Sequence, residues 1–229
     1  MATWAIVLAC GKEQEISPGT DVAFLALGSR PILSRSLQIL EQNSEIAGIV
    51  VVVKKDRIDT TLHLIRSFGC RKISAIVAGG SVRLTNLKNA YAQVPDSATL
   101  VVVHDASRPF VTDQIVTDSV KAAKRYGAAV TAARSVDAVK FAARGQKAEK
   151  DIDRNSIWLV QTPQAFKRPV FEKILKSKER LKDDESALLG KTKQPIHLVA
   201  ATAGNMKIRS AEDLTVASAI LSASRKDLL

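Results

Sequence analysis

Aromatic side chains are scarce in this chain of 229 residues, with six Phe, two Trp and two Tyr making up 4%. So few rings leave little material for the stacking platforms that hold single-stranded nucleic acids. Cysteine is scarcer still. Cys10 and Cys70 offer neither metal-ligand spacing nor a disulfide framework, and they read as free thiols of a reducing compartment. The histidines are His63, His104 and His197. No Ser–His–Asp order, zinc-ligand spacing or P-loop can be found. No apolar run approaches the roughly 18 residues of a membrane-crossing helix, and no basic stretch precedes the apolar residues at the N-terminus. The expectation is a cytoplasmic protein with no leader and no membrane partner.

Negative charge is the minority sign. Lys and Arg number 34 against 23 Asp and Glu, giving a net charge of +11 and a pI near 9.8. Such a surplus suits an anionic partner: nucleic acid, a membrane surface or a phosphorylated substrate. The charges are spread over many segments, densest from Lys167 to Lys193, which favours a solvated basic surface over a dedicated nucleic-acid face. With 46% hydrophobic and 25% charged residues, the composition is that of one globular domain spanning residues 1–229.

Short apolar runs alternate with helical patterns. Trp4 to Ala9 reads as a buried strand ending at Cys10 and Gly11, and a loose segment follows from Lys12 to Thr20. Pro31 opens a helix with Ile32, Leu33, Leu37 and Leu40 on one face. Strands are expected at Ile49–Val53, Ile73–Ala78, Leu100–Val103, Ala128–Ala133, Ile157–Val160 and Ile196–Ala200. Helices are expected at Asp59–Phe68, Val82–Ala92, from a Thr112 or Asp113 cap to Tyr126, from Pro169 to about Arg180, and at Ala211–Ser224. This rhythm predicts an α/β fold, a mostly parallel sheet covered by helices on both faces. Ligands of such sheets bind beyond the carboxyl ends of the strands, so Gly11 onward, Gly79–Gly80 and His104–Asp105 are the positions of interest. Residues 134–154 break the rhythm and read either as a projecting hairpin arm or as a surface loop.

Asp105 follows an apolar strand and should face the cleft, where a carboxylate can hold a divalent cation against phosphate oxygens. Arg108 and Pro109 add a guanidinium on a rigid turn, which suits a phosphate but equally a structural Asp–Arg pair. Arg154 and Lys207 could clamp a phosphate or be ordinary surface cations. Gln161–Thr162–Pro163–Gln164 reads as a polar turn after a strand. Asp183–Asp184–Glu185 reads as the acidic start of a helix or an aid to metal binding. His63 and His197 read as structural. Among the histidines, His104 alone sits where chemistry is plausible.

Together these pieces resemble one family. His104–Asp105–Ala106–Ser107–Arg108–Pro109 is similar to the HDAARP motif of the 2-C-methyl-D-erythritol 4-phosphate cytidylyltransferases. Asp153–Arg154–Asn155–Ser156–Ile157–Trp158, followed by Gln161–Thr162–Pro163–Gln164–Ala165–Phe166, resembles that family's DR-x-x-x-W and QTPQ-x-F run. Asp183 through Leu188, Asn205–Met206–Lys207–Ile208 with Glu212–Asp213–Leu214, and Gly79–Gly80 with Arg83 resemble its remaining motifs, in order along nearly the whole chain. The resemblance implies a Rossmann-like three-layer nucleotidyltransferase fold. The implied reaction transfers a cytidylyl group from CTP to methylerythritol phosphate or a related polyol phosphate, with Mg²⁺, in isoprenoid precursor synthesis. It implies a homodimer with 134–154 as its arm. Asp105 would hold the metal, and Arg108, Arg154 and Lys207 would hold the acceptor phosphate, Arg154 across the dimer interface. Asp105, Arg154 and Lys207 would be catalytic. Ala9, Gly11, Lys12, Gly80, Arg83 and Asn86 would meet the nucleotide.

The departures fall on the nucleotide side. Glu13 and Glu15 stand where the family loop has a glycine and an arginine, Val22 where it has a lysine, Asn86 in place of a serine and Ala138 in place of an arm threonine. A phosphate loop needs backbone N–H groups open to approach, and losing a cation that acts in the transition state costs about a thousandfold in rate. Lys12 or Arg30 could take over the lost charges. Two other readings therefore stand beside the enzyme: an impaired relative that binds a phosphorylated ligand or a partner subunit, and a basic nucleic-acid-binding protein on the same scaffold.

Overall fold

The computed structural model describes residues 2–11, 15–177, 184–189 and 194–226. Its seven-stranded sheet is built from β1 (Ala2–Leu8), β6 (Ile46–Lys54), β7 (Ile73–Gly79), β8 (Ala98–Asp105), β9 (Ala128–Arg134), β12 (Trp158–Lys167) and β13 (His197–Ala200), in the order β13-β9-β12-β8-β1-β6-β7. Only β12 runs antiparallel to its neighbours, β8 and β9; the other pairings are parallel. Two small hairpins follow β1: β2 (Glu15–Ser17) with β3 (Thr20–Asp21), and β4 (Ala26–Leu27) with β5 (Arg30–Pro31).

The helices are α1 (Ile32–Gln42), α2 (Ile58–Ser67), α3 (Arg83–Tyr91), α4 (Asp113–Tyr126), α5 (Arg168–Lys176) and α6 (Ala211–Lys226). Their placement follows from the alternation of side chains along the central strands. Ala5, Val7, Ile49, Val51, Leu100 and Val102 pack with Leu33 and Leu37 of α1, Leu64 of α2 and Val116 and Val120 of α4. Ile6, Leu8, Val50, Val52, Val101 and Val103 point the other way, onto Leu87 of α3 and Val170, Phe171 and Ile174 of α5. The result is three layers, helices on both faces of a buried sheet. Helix α6 packs separately, with Ala217 against Val22, Leu27, Ile32 and Ile208.

Local chemistry sets the boundaries. Thr112 caps α4, its side chain accepting a hydrogen bond from Ile115 N, and Gly127 ends the helix at φ +94°. Gly48 pairs with Trp4 in the sheet, and a Cβ there would stand 2.6 Å from the indole, so the ring lies directly on the glycine.

Two expectations need correction. Gln161–Gln164 is not a turn after a strand. Strand β12 continues through it to Lys167, with a bulge between Val160 and Gln164 that takes Pro163 out of the ladder. The Thr162–Pro163 peptide is cis. The helix expected to reach Arg180 is described to Lys176; residues 178–183 lie outside the described residues. The open choice at 134–154 resolves to a hairpin, β10 (Val139–Phe141) with β11 (Lys150–Ile152), pairing Val139 with Ile152 and Phe141 with Lys150.

Strand order reverses about β1. From it the chain moves outward to β6 and β7, then returns to β8 on the other side. The crevice beyond the carboxyl ends of β1, β6 and β8 is therefore the topological switch point.

Candidate active site

Asp105 is the last residue of β8 and pairs across the sheet with Leu8, which places its carboxylate at the switch point. Three further segments converge there. Arg83, the first residue of α3, donates from Nη1 to Asp105 Oδ1 at 2.7 Å. The same guanidinium grips Glu185 from Nε at 2.6 Å and Nη2 at 3.1 Å. Lys207 Nζ stands 3.2 Å from Asp105 Oδ2. Arg108 is buried and donates from Nη1 to Asn205 O at 2.8 Å, while its Nε has no hydrogen-bond partner among the described residues.

The strand ends hold these groups in register. Asn205 Nδ2 donates to Gln161 Oε1 at 2.8 Å and to Thr162 O at 2.9 Å, and Ile208 N donates to Ser107 O at 2.9 Å. These bonds tie the segment after β13 to the bulge of β12 and to the turn after β8. Thr162 Oγ1 accepts from Asp105 N at 3.0 Å. The Gln-Thr-Pro-Gln run is thus a bracket inside a strand that positions Asn205, and through it Arg108 and Lys207.

Burial works against the charge on Asp105, but Arg83 and Lys207 outweigh it and hold the carboxyl well below the usual range, so it is ionised. Burial also disfavours the charge on Arg83, and Asp105 and Glu185 reverse that, raising its pKa well above the ordinary value. Arg108 is pulled down, chiefly by burial. A cavity of about 650 Å³ opens beside the cluster, lined among others by Arg108, Arg134, Val136, Leu159 and Lys207. A smaller one of about 80 Å³, lined by Arg83, Asp105, Gln164 and Asp184, shares Arg108, Val160, Gln161 and Lys207 with it.

The nucleotide-side candidates sit across the switch point. Ala9 is buried and donates from N to Val52 O at 2.8 Å. Gly11, at φ +113°, faces the Gly80 carbonyl. Asn86 accepts from Gly80 N at 2.8 Å and donates from Nδ2 to Gly80 O at 2.9 Å, so its amide closes on both polar groups of that peptide unit. Lys12 lies outside the described residues, as do Glu13 and Asp183. Val22 is fully buried in the α6 cluster.

Arg154 is not brought to the cleft of its own chain. It is exposed at the base of the arm and donates from Nη1 to Val136 O at 2.8 Å. Arg30 does not take over a lost charge: it bonds Gln38 at 2.6 Å and lies 5.4 Å from the Phe68 ring centroid, on the α1–α2 side. His104 is likewise no catalytic group. It is fully buried, with ring nitrogens 3.3 Å from the Ser36 and Thr162 hydroxyls, and burial lowers its pKa to about 4. Sequence reasoning missed the role of Glu185. It starts a short 3₁₀ turn as expected of an acidic cluster, but it is buried as the second carboxylate on Arg83.

Comparison with known proteins agrees with this geometry. The sequence model of the 2-C-methyl-D-erythritol 4-phosphate cytidylyltransferases matches residues 3–223. The cytidylyltransferase of that name from Geobacillus kaustophilus is 34% identical over 95% of this chain and 96% of its own length. Its counterpart from Alkaliphilus metalliredigens is 30% identical over 97% and 93%. The crystal structure of 4-diphosphocytidyl-2C-methyl-D-erythritol synthase from Anaerococcus prevotii superposes with a TM-score of 0.85 at 25% identity, covering 96% of each chain. With the motif residues gathered at the switch point of a matching fold, the chain belongs to the 2-C-methyl-D-erythritol 4-phosphate cytidylyltransferase family.

Proposed function

We propose that this chain transfers a cytidylyl group from CTP to 2-C-methyl-D-erythritol 4-phosphate or a closely related polyol phosphate, releasing pyrophosphate. The observation that carries the reading is the convergence of Asp105, Arg83, Arg108 and Lys207 on a small cavity of about 80 Å³, which shares Arg108 and Lys207 with the neighbouring cavity of about 650 Å³. In the transfer, an oxygen of the acceptor phosphate forms a bond to the α-phosphorus of CTP as the bond to the β-phosphate bridging oxygen breaks. The acceptor phosphate enters as an anion, so no general base is required. What the site must supply is alignment of two mutually repelling anions and charge stabilisation of the transition state.

Lys207 and Arg108 suit the acceptor phosphate. Arg108 keeps an unpartnered Nε in a desolvated setting, where a charge-assisted bond to a phosphate is strong. The exposed Arg154 suits a site completed by a second copy of the chain. Val136 is 75% exposed and Leu159 57% exposed, and both border the cavity at the foot of the arm. Those apolar side chains support a homodimer in which residues 134–154 reach the partner.

A divalent cation fits the donor set. Among the described residues no three acidic, His or Cys side chains form a metal cage, but Mg²⁺ at phosphates needs only one or two protein carboxylates. Asp105 is ionised and shares the small cavity with Asp184. When bound, the ion would withdraw charge from the phosphates being transferred.

The test is pyrophosphate release from CTP, methylerythritol phosphate and Mg²⁺, with Asp105→Ala as the control. Turnover that disappears in the control is the expected result. No release with any nucleoside triphosphate, from folded protein, would leave a phosphate-binding relative. Burial of Val22 and closure of Asn86 on Gly80 are the observations that favour that second reading.

A further inference from the structure

The two cavities of the site share Arg108, Val160, Gln161 and Lys207 and differ in what else lines them. The small one contains Asp105 and Arg83, so the reacting phosphate belongs where the two meet, at Arg108 and Lys207. The large one continues to Arg134, which does not line the small one. Its far end is therefore the place for whatever the phosphate carries. For a polyol phosphate that is a chain of hydroxyl groups.

Sheet register puts Arg134 there and holds it. Arg134 is the last residue of β9 and pairs with Trp158, the first residue of β12. Its guanidinium carbon lies over the indole, 4.4 Å from the ring centroid. Nη1 donates to Asn155 O at 2.8 Å. Ring and carbonyl together fix the position and heading of the group, which an arginine on an open surface lacks. Among the described residues no carboxylate forms an ion pair with Arg134, although Asp137 lines the same cavity. Ala133, Ala201 and Ala203 also line it, and side chains this small leave room for a ligand.

Resting on the transfer reading above, we infer that Arg134 is a specificity-determining residue that donates hydrogen bonds to acceptor hydroxyls at the end of the cavity away from Asp105, with Trp158 as its positioning residue. A guanidinium has five N–H donors in a rigid fork, and a fork already held over a ring matches neighbouring polyol oxygens with little ordering left to do on binding. Lys207 and Arg108 select for a phosphate; Arg134 selects among phosphates by what is attached to them.

The test is calorimetric titration of the full chain with methylerythritol phosphate and with glycerol 3-phosphate, which carries the same group on a shorter polyol. Each is titrated with Mg²⁺, with and without the non-transferring α,β-methylene analogue of CTP. The parent should prefer methylerythritol phosphate, and Arg134→Met should narrow that preference about tenfold or more, the loss of hydrogen bonds from a charged donor. Trp158→Leu should narrow it in part. Lys207→Ala should weaken both ligands alike. A parent that binds neither ligand or both equally, an unchanged preference in Arg134→Met, or equal losses for both ligands in that variant would each overturn the inference. Turnover separates it from the wider reading. An active parent whose Arg134→Met variant keeps the same KM for methylerythritol phosphate removes the role of Arg134 and leaves the transferase. A parent that binds methylerythritol phosphate through Arg134 without turnover removes the transferase and leaves the site.

Discussion

Glu185 offers a test of the electrostatic frame on which the site rests. It has no exposure to solvent and grips Arg83 through both carboxylate oxygens, while the third charged bond of that guanidinium goes to Asp105. Glu185→Ala removes two of the three and leaves a cation, only 13% exposed, sharing one carboxylate with Lys207. Breaking a buried pair from one side costs about 3–5 kcal/mol, because the remaining charge stays desolvated. With a urea dependence of about 3 kcal/mol per molar for a chain of this size, the unfolding midpoint should fall by roughly 1–1.7 M. Trp4 and Trp158 provide the fluorescence signal. Replacing both partners by apolar groups, Arg83→Met with Glu185→Leu, should recover much of the loss in stability. That double variant should be inactive all the same, since Asp105 loses the group that orients it. A midpoint shift below about 0.3 M in Glu185→Ala, with an unchanged slope, would refute the buried-bridge argument.

Stability should also fall in mild acid because of His104. Its folded pKa is near 4 against 6.5 for a free histidine, so from pH 6.5 down to 4 the unfolded chain takes up a proton that the folded chain refuses. The loss between pH 7.5 and 5 should be about 2 kcal/mol, and His104→Gln should flatten that part of the profile; an equally steep profile in the variant would assign the titration elsewhere. Arg154 can be tested by mixing inactive variants. If it serves the partner's site, Arg154→Ala mixed with Lys207→Ala after subunit exchange should regain about a quarter of parent activity, since half the dimers then hold one intact site. No recovery in exchanged dimers would place Arg154 in its own chain's site.

Much of the fold was legible because the sheet is parallel and buried on both faces. Runs such as Ile49–Val53 and Leu100–Val103 have no other stable home, and Thr112 and Gly127 mark the ends of α4 with local chemistry. The antiparallel β12 was harder to read. A proline between two glutamines argues against a strand, and only the bulge, a relation between two strands, makes Pro163 compatible with one. His104 misled for a related reason. Its position after an apolar run is that of a cleft residue, but alternation turns it into the interior beside Ser36 and sends Asp105 to the cleft instead.

The two halves of the site differ in legibility for the same physical reason. Asp105 ends β8, and Arg108 and Lys207, the residues expected at the acceptor phosphate, lie on the segments that leave β8 and β13, where position in the chain goes far to fix position in space. Asp105, Arg108 and Lys207 could therefore be picked out singly, although their contacts could not. On the nucleotide side the information is relational. Val22 and Asn86 read as losses when each is compared with the residue it replaces. What the replacing residues do shows only in the fold: Val22 joins the apolar cluster under α6, and the Asn86 amide closes on both polar groups of Gly80. Each is thus well placed as a packing or bracing group, and a motif comparison that asks only for the missing lysine and serine has no way to register that role.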